Sequence, residues 1–491
     1  MSGSRLLLAL LGAALGGILV VVLARRWINR MAVRAIMRYR PQIDRFKLTA
    51  KPYVIADLLQ DERIAVAVRA HAVEHAQREE VVWRRVETYL DEIVPFFNVL
   101  LYYRVGYNIS RILLETFYKV SVEYAAPKQI DALPRDAIVV YLMNHRSNAD
   151  SMLVSFVLAG DVAISYAVGE WARAFPLDYL FKSFGSYFIR RRYREPLYHT
   201  VLERYVQLIT RHGVTQGIFP EGGLTRDGKL LPAKIGLLDY ILGVGRDPVL
   251  RERMYIVPVA LNYDRVLEDR SLLLDLAARE GRAVRPGRIQ QLREVGNHFL
   301  ANVGRAATGR FKKYGRAAVT VGAPVKLAPW FAAEGGDALF ALDRTQRLAR
   351  VQRLADDALQ RIGAIIPVTP VPLACAAIQS LDADFIPRRV LIERMEEMRD
   401  VLVELNGRVL RADRDIEETF ERAWRMLGMR KVLVASGEGF VVLKRGRPLV
   451  SYYANSIAHL LGPFTDGIRA RDTLPALAMS APERSSASLD R

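Results

Sequence analysis

In the stretch NHRSNAD, His145 and Asp150 stand five positions apart, directly after an apolar run. An imidazole held by a carboxylate through one ring nitrogen keeps its other nitrogen free as a general base. No G-x-S-x-G elbow accompanies the pair, which leaves a hydroxyl of the substrate as one candidate for the nucleophile. The same residues also suit a plain turn, with Asn148 as a helix cap and Asp150 in a first helical turn, where a carboxylate gains from the helix dipole. Three further stretches carry polar groups of comparable interest. GSYFIRR ends in Arg190 and Arg191, with Arg192 next, and guanidinium forks suit phosphate oxygens. FPEGGLTRDGK sets Glu221 beside Gly222 and Gly223, which allow close backbone approach, and then brings Thr225, Arg226 and Lys229. VPVALNYD places Pro258 inside an apolar run. Each has a plainer alternative: surface charge on a basic chain, a glycine-rich turn, and a core strand entering a turn.

These groups need elements to hold them. Residues 137–143 (AIVVYLM), 185–191, the start of 216–229, 254–266 and 317–327 read as strands, and a helix is expected through DSMLVSFVLAG. Apolar runs with helical spacers predict an α/β domain with a buried mixed, largely parallel sheet flanked by helices. In such sheets sites gather where strands give way to loops, and His145, Arg191, Glu221 and Asn262 all fall at or just beyond strand ends.

At 491 residues and 51% hydrophobic content the chain has room for two or three domains and is not mainly disordered. A net charge of +18 and a pI near 10.0 favour polyanionic partners. Cys375 is the only cysteine, which excludes an intramolecular disulfide and a cysteine-rich metal site. Leu6 to Ala24 is an uncharged run of 19 residues, long enough to span a bilayer core of roughly 30 Å. Nine basic residues and one acid follow between Arg25 and Lys51. By the positive-inside rule the bulk of the chain faces the cytoplasm, with an amphipathic basic helix on the bilayer surface. Residues 60–92 are expected to form a long, partly solvated helix. Within it HAVEH, His71 to His75, fits an inverted zinc-peptidase pattern, but its Glu- and Arg-rich surroundings suit a solvated helix face better.

The four polar stretches, in this order and at these separations, resemble the glycerolipid acyltransferase family, whose first motif is H-x-x-x-x-D. NHRSNAD matches that motif, GSYFIRR the second, FPEGGLTRDG the third and VPVALNYD the fourth. The resemblance continues through VGAPVKL, VTPVPLACAAIQS and YYANSIAHLL, covers about residues 95 to 465, and is closest to bacterial membrane glycerol-3-phosphate acyltransferases. It implies acyl transfer from acyl-CoA or acyl-carrier protein to the sn-1 hydroxyl of glycerol 3-phosphate, the first step of phospholipid biosynthesis. No metal or organic cofactor is implied. His145 would be the base and Asp150 its partner. Arg191 and Arg226, helped by Arg146, Arg190 or Lys229, would hold the phosphate. Glu221, Gly222 and Gly223 would position the glycerol, and Pro258 would shape the thioester side. Lysophosphatidate and dihydroxyacetone phosphate are the alternative acceptors. Leu224 departs from the arginine usual at that position.

The implied organisation is a transmembrane anchor and basic juxtamembrane helix (1–47), a helical region (48–123), the catalytic domain (124–328), a smaller C-terminal α+β region (329–466) and a disordered tail (467–491). The expected location is the inner (plasma) membrane, with the catalytic domain on the cytoplasmic side and anionic lipids as partners. Residues 431–450 read as a hairpin with Lys444, Arg445 and Arg447 at its tip, which also fits a winged nucleic-acid-binding module. That module would need a recognition helix, and none is evident. No nucleic acid is expected, and anionic lipid is the better match for the charge.

Overall fold

A computed structural model of the chain describes residues 45–98, 101–158, 162–169, 177–190, 193–281 and 313–464. The expected span Leu6 to Ala24, most of the basic stretch after it, Arg191, Arg192 and the tail lie outside the described residues. Among the described residues, no helix is long and apolar enough to cross a membrane. The chain divides into two compact units, Met1–Ser110 with Leu158–Thr215, and Arg111–Val157 with Gln216–Arg491.

In the first unit, helices α1 (Lys51–Leu59), α2 (Glu62–Glu74) and α3 (Glu79–Ile93) accompany α6 (Pro196–Arg211) and the parallel pair β3 (Ser165–Gly169) and β4 (Tyr187–Ile189). The stretch expected to be one long helix is two. Asp61 caps α2 by accepting the Arg63 and Ile64 amides, and the chain turns after Glu74 with Ala76 at a φ of 51°. The break has a packing reason. Ile64 and Val68 on α2, and Val82, Val86 and Leu90 on α3, form separate buried stripes, and both helices pack against α6.

The second unit is built on a mixed sheet whose strands run in the order β1 (Lys119–Tyr124), β7 (Arg316–Val321), β6 (Met254–Tyr263), β2 (Ile138–Met143), β5 (Gln216–Ile218). The β1–β7, β6–β2 and β2–β5 pairs are parallel, and β6 pairs antiparallel with β7 and with β8 (Val325–Lys326). Strands β2, β6 and β7 are buried along almost their whole length, which is why they read as continuous apolar runs rather than alternating ones. Because β7 opposes β6, the starts of β1 and β7 lie at the same end of the sheet as the finishes of β2 and β6. Helix α8 (Arg344–Ala364) packs on β6 and β2.

C-terminal to the sheet, α9 (Pro370–Leu381) is buried along most of its length and packs against α10 (Arg388–Glu404), α11 (Ile416–Met429) and α12 (Arg447–Ala458). Two small sheets complete the unit: β9 (Pro367–Val368) with β11 (Arg408–Val409), and the antiparallel β10 (Phe385–Pro387), β13 (Gly439–Val442), β12 (Leu433–Ser436). The expected hairpin is β12–β13, but its tip is Gly437–Glu438 rather than the basic residues. Gly437 takes the left-handed turn conformation at a φ of 54°, while Lys444 and Arg445 follow β13 in a short 3-10 turn. Arg447 opens α12 and pairs with Asp382 and Asp384.

Candidate active site

Strand β2 ends at Met143, and α5 (Asp150–Leu158) starts at the aspartate of NHRSNAD, so the histidine falls in the turn between them. Asn144 fixes the exit, its amide exchanging two hydrogen bonds with the Leu261 backbone on β6, at 2.9 and 2.7 Å. Asp150 is fully buried and accepts four hydrogen bonds. Its Oδ2 takes the His145 Nδ1 proton at 3.0 Å and the Arg146 and Ser147 amides at 2.6 and 2.9 Å, and its Oδ1 takes the Tyr263 hydroxyl at 2.5 Å. All four partners are donors, which is the set an ionised carboxylate uses. With Nδ1–H spent on Asp150, the imidazole keeps Nε2 as its unprotonated nitrogen. The ring lies flat against Phe219, 4.1 Å between centroids.

The loop after β5 closes around this turn. Glu221 is buried, and its two oxygens accept the His145 and Leu231 amides, both at 2.8 Å. Burial pushes its carboxyl up to about 7, against the opposing pull of those amides and of Arg146. Gly222 sits at a φ of 66°, where a Cβ would also meet Lys234, while Gly223 faces open space. Thr225 donates its amide to the His145 carbonyl at 3.3 Å. Arg146 is 3% exposed; its Nη1 donates to the Gly228 carbonyl at 2.5 Å, its guanidinium lies 5.2 Å from the Tyr452 ring centre, and its Nε and Nη2 have no hydrogen-bond partner among the described residues. Arg226 is held by Asp275, and Lys229 is exposed. Pro258 is buried within β6 beside Leu142 of β2, and its carbonyl accepts the Gly322 amide.

His145, Arg146, Asp150, Glu221, Gly222, Gly223, Arg226, Lys229 and Pro258 thus share one unit. Arg190 belongs to the first unit, where it forms a forked pair with Glu92 at 2.9 and 2.6 Å and lies over Tyr89, Tyr193 and Tyr198. In the HAVEH stretch the two imidazoles stack at 4.0 Å, His75 Nδ1 meets the His71 carbonyl, and His71 Nε2 faces Glu195.

Residues 127–262 match the acyltransferase family model, and residues 300–463 match the model of the glycerol-3-phosphate acyltransferase C-terminal region. The first match holds both His145 and Asp150. Two stretches of this chain are thus similar to acyltransferases. Curated relatives named glycerol-3-phosphate acyltransferase include those of Aeromonas hydrophila (27% identity; 84% of this chain, 50% of the relative), Xylella fastidiosa (25%; 89% and 50%) and Actinobacillus succinogenes (27%; 82% and 49%). The chain spans about half the length of these relatives. A solved 1-acyl-sn-glycerophosphate acyltransferase from Thermotoga maritima aligns with 54% of this chain and 80% of its own, at 17% identity and a TM-score of 0.31.

Three residues of this site escaped the motif reading. Tyr263 lies inside the fourth motif and reaches Asp150 across the β2–β6 pair. Glu268 accepts the Ser147 hydroxyl at 2.8 Å and the Asn148 amide at 3.2 Å, and burial raises its carboxyl above the ordinary range. Tyr452, on α12, underlies Arg146. For Tyr263 the signal was its place between Asn262 and Asp264 in the polar close of VALNYD; for Glu268 and Tyr452 no local signal exists, since only the fold brings them to the turn. The turn is therefore braced by Asp150, Glu221 and Glu268 at once, which fixes the imidazole.

Proposed function

We propose that the chain transfers an acyl group from acyl-CoA, or an acyl-carrier protein, to the sn-1 hydroxyl of glycerol 3-phosphate. The observation that carries this reading is the His145 ring, locked through Nδ1 on a fully buried aspartate with Nε2 left as the base. His145 Nε2 takes the hydroxyl proton as that oxygen attacks the thioester carbon. The tetrahedral adduct then collapses, the carbon–sulfur bond breaks, and the imidazolium returns its proton to the departing thiolate. Asp150 stabilises the imidazolium in between. The names of the half-matching relatives support glycerol 3-phosphate as acceptor.

The buried guanidinium of Arg146 supports a role in holding the phosphate, since Nε and Nη2 are unspent. Arg226 would share that task after exchanging Asp275 for the phosphate. Gly222 and Gly223 would let the glycerol approach the backbone, with Glu221 fixing the loop. Leu6 to Ala24 would anchor the chain in the inner membrane with the catalytic domain on the cytoplasmic side, and the basic stretch after it would meet anionic lipid. An acceptor panel with the purified chain in detergent tests the reading: glycerol 3-phosphate, dihydroxyacetone phosphate and lysophosphatidate, each with labelled palmitoyl-CoA. Acylation of glycerol 3-phosphate above the other two is expected, and preference for either alternative would overturn the assigned acceptor. Protease protection that placed the acyltransferase motifs outside the cytoplasm would overturn the assigned orientation.

A further inference from the structure

At the sheet end that carries His145, β7 and β1 begin with the register partners Arg316 and Lys119. Beside them opens a cavity of about 1000 Å³, lined by the cations Lys119, Lys313, Arg316, Arg422 and Arg425 and the carboxylates Asp264, Glu418 and Glu421. The carboxylates are already engaged. Asp264 accepts the Arg316 and Val371 amides at 2.7 and 3.0 Å, Glu418 pairs with Arg422 and Arg414, and Glu421 pairs with Arg388. Among the described residues, Lys119, Lys313, Arg316 and Arg425 form no ion pair with a carboxylate. Arg316 is only 6% exposed, donates Nη1 to Ser121 Oγ at 2.7 Å, and leaves Nη2 without a hydrogen-bond partner among the described residues. The crowding is strong enough to lower the proton affinity of Lys119, through Arg316 first and then Arg411, Arg422 and Lys313. Trp424, packed 4.5 Å from Phe440, adds an aromatic wall.

Like charges converging on one concavity favour a multiply charged anion, and the volume suits a ligand much larger than glycerol 3-phosphate. Position narrows the class. In the order β1–β7–β6–β2, the cavity's first strand is three spacings from the strand that delivers His145, about 14 Å. A donor with its thioester at His145 carries its phosphates at the far end of an extended pantetheine arm of that order of length. We propose that this cavity receives the phosphorylated nucleotide end of acyl-CoA, with Lys119, Lys313, Arg316 and Arg425 on the phosphates and Trp424 beside the base. The assignment rests on the acyl-transfer reading above and makes CoA, rather than a carrier protein, the donor.

The test compares palmitoyl-CoA with palmitoyl-pantetheine, which lacks the nucleotide, using the full chain in detergent. The double variant Lys119→Glu with Arg425→Glu changes two exposed side chains, so its folding is not at risk in the way that of Arg316→Ala is. Its KM for palmitoyl-CoA should rise about tenfold or more, while those for palmitoyl-pantetheine and glycerol 3-phosphate stay within about twofold. An unchanged KM for palmitoyl-CoA, or an equal rise with both donors, would overturn the proposal. If the wild-type chain transfers no acyl group from either donor or from palmitoyl-carrier protein, the acyl-transfer reading fails instead, and transfer from the carrier protein alone overturns the cavity's assignment. Calorimetric titration with coenzyme A then decides the cavity separately: binding that the double variant loses supports it, and no binding to wild type overturns it.

Discussion

Arg146 and Arg190 were both expected near phosphate, and both lie against tyrosine rings. In the first unit, Arg190 meets Glu92 with two nitrogens, and that carboxylate holds the guanidinium's proton affinity above its usual value. In the second unit, Arg146 is more deeply buried yet, among the described residues, spends only Nη1, on a backbone carbonyl, and leaves Nε and Nη2 without hydrogen-bond partners. Burying a cation is unfavourable unless something compensates it, so a paired arginine reads as architecture and an unpaired one as a site awaiting an anion. Sequence cannot separate them, because both follow apolar runs.

The largest effect expected on this comparison comes from the carboxylate that orders the turn. Asp150→Asn should lower turnover by roughly 10² to 10⁴, because an amide cannot stabilise the imidazolium and invites the wrong tautomer. Steady-state kinetics with both substrates saturating checks this. A near-neutral result would reduce Asp150 to a helix-start residue.

The arginines themselves should then part company. Arg146→Met is expected to raise the KM for glycerol 3-phosphate by about tenfold or more and to leave that for the acyl donor nearly unchanged. Arg190→Met should leave both constants alone and lower stability by about 2–4 kcal/mol in urea unfolding, since Glu92, 10% exposed, then loses the two nitrogens of its forked contact. Equal KM effects on both substrates for Arg146→Met would break the contrast. So would a selective acceptor effect for Arg190→Met.

Glu221 gives a pH signature. Its folded value, about 7, lies above the ordinary 4.5, so the folded chain holds this proton more tightly than the unfolded one. Its contribution to stability is therefore complete below pH 4.5 and declines as pH rises through 7, by up to about 3 kcal/mol in total. Glu221→Gln should flatten that part of the stability–pH curve, measured by thermal melts between pH 5 and 8. An unchanged slope would contradict the assignment. The smallest effect is expected from Leu224→Arg, a gain of about two- to fivefold in acceptor affinity if the departure at this position has removed a phosphate contact. Isothermal titration with glycerol 3-phosphate measures it.

Much of the site was legible because it is local. His145 and Asp150 lie within one strand–turn–helix segment, so their spacing already fixed which could meet. The buried strands announced themselves as apolar runs, and the α/β class followed. What stayed hidden depends on residues far apart in the chain. Tyr263 and Glu268 approach the turn from more than a hundred positions away, and Tyr452 from about three hundred. The two helices between Glu62 and Ile93 were read as one because both carry the same Glu- and Arg-rich face; only the turn at His75–Arg78 separates them. The basic residues after β13 were placed at the hairpin tip for lack of a turn signal stronger than Gly437, which in fact makes the turn.

The most direct measurement of the central claim is acyl transfer to glycerol 3-phosphate by His145→Ala, with folding monitored on the same sample by circular dichroism. The buried Asp150 keeps its amide and tyrosine donors in that variant, so the fold should hold while turnover falls by roughly 10² to 10⁴. Near wild-type turnover in a well-folded His145→Ala chain would contradict the account.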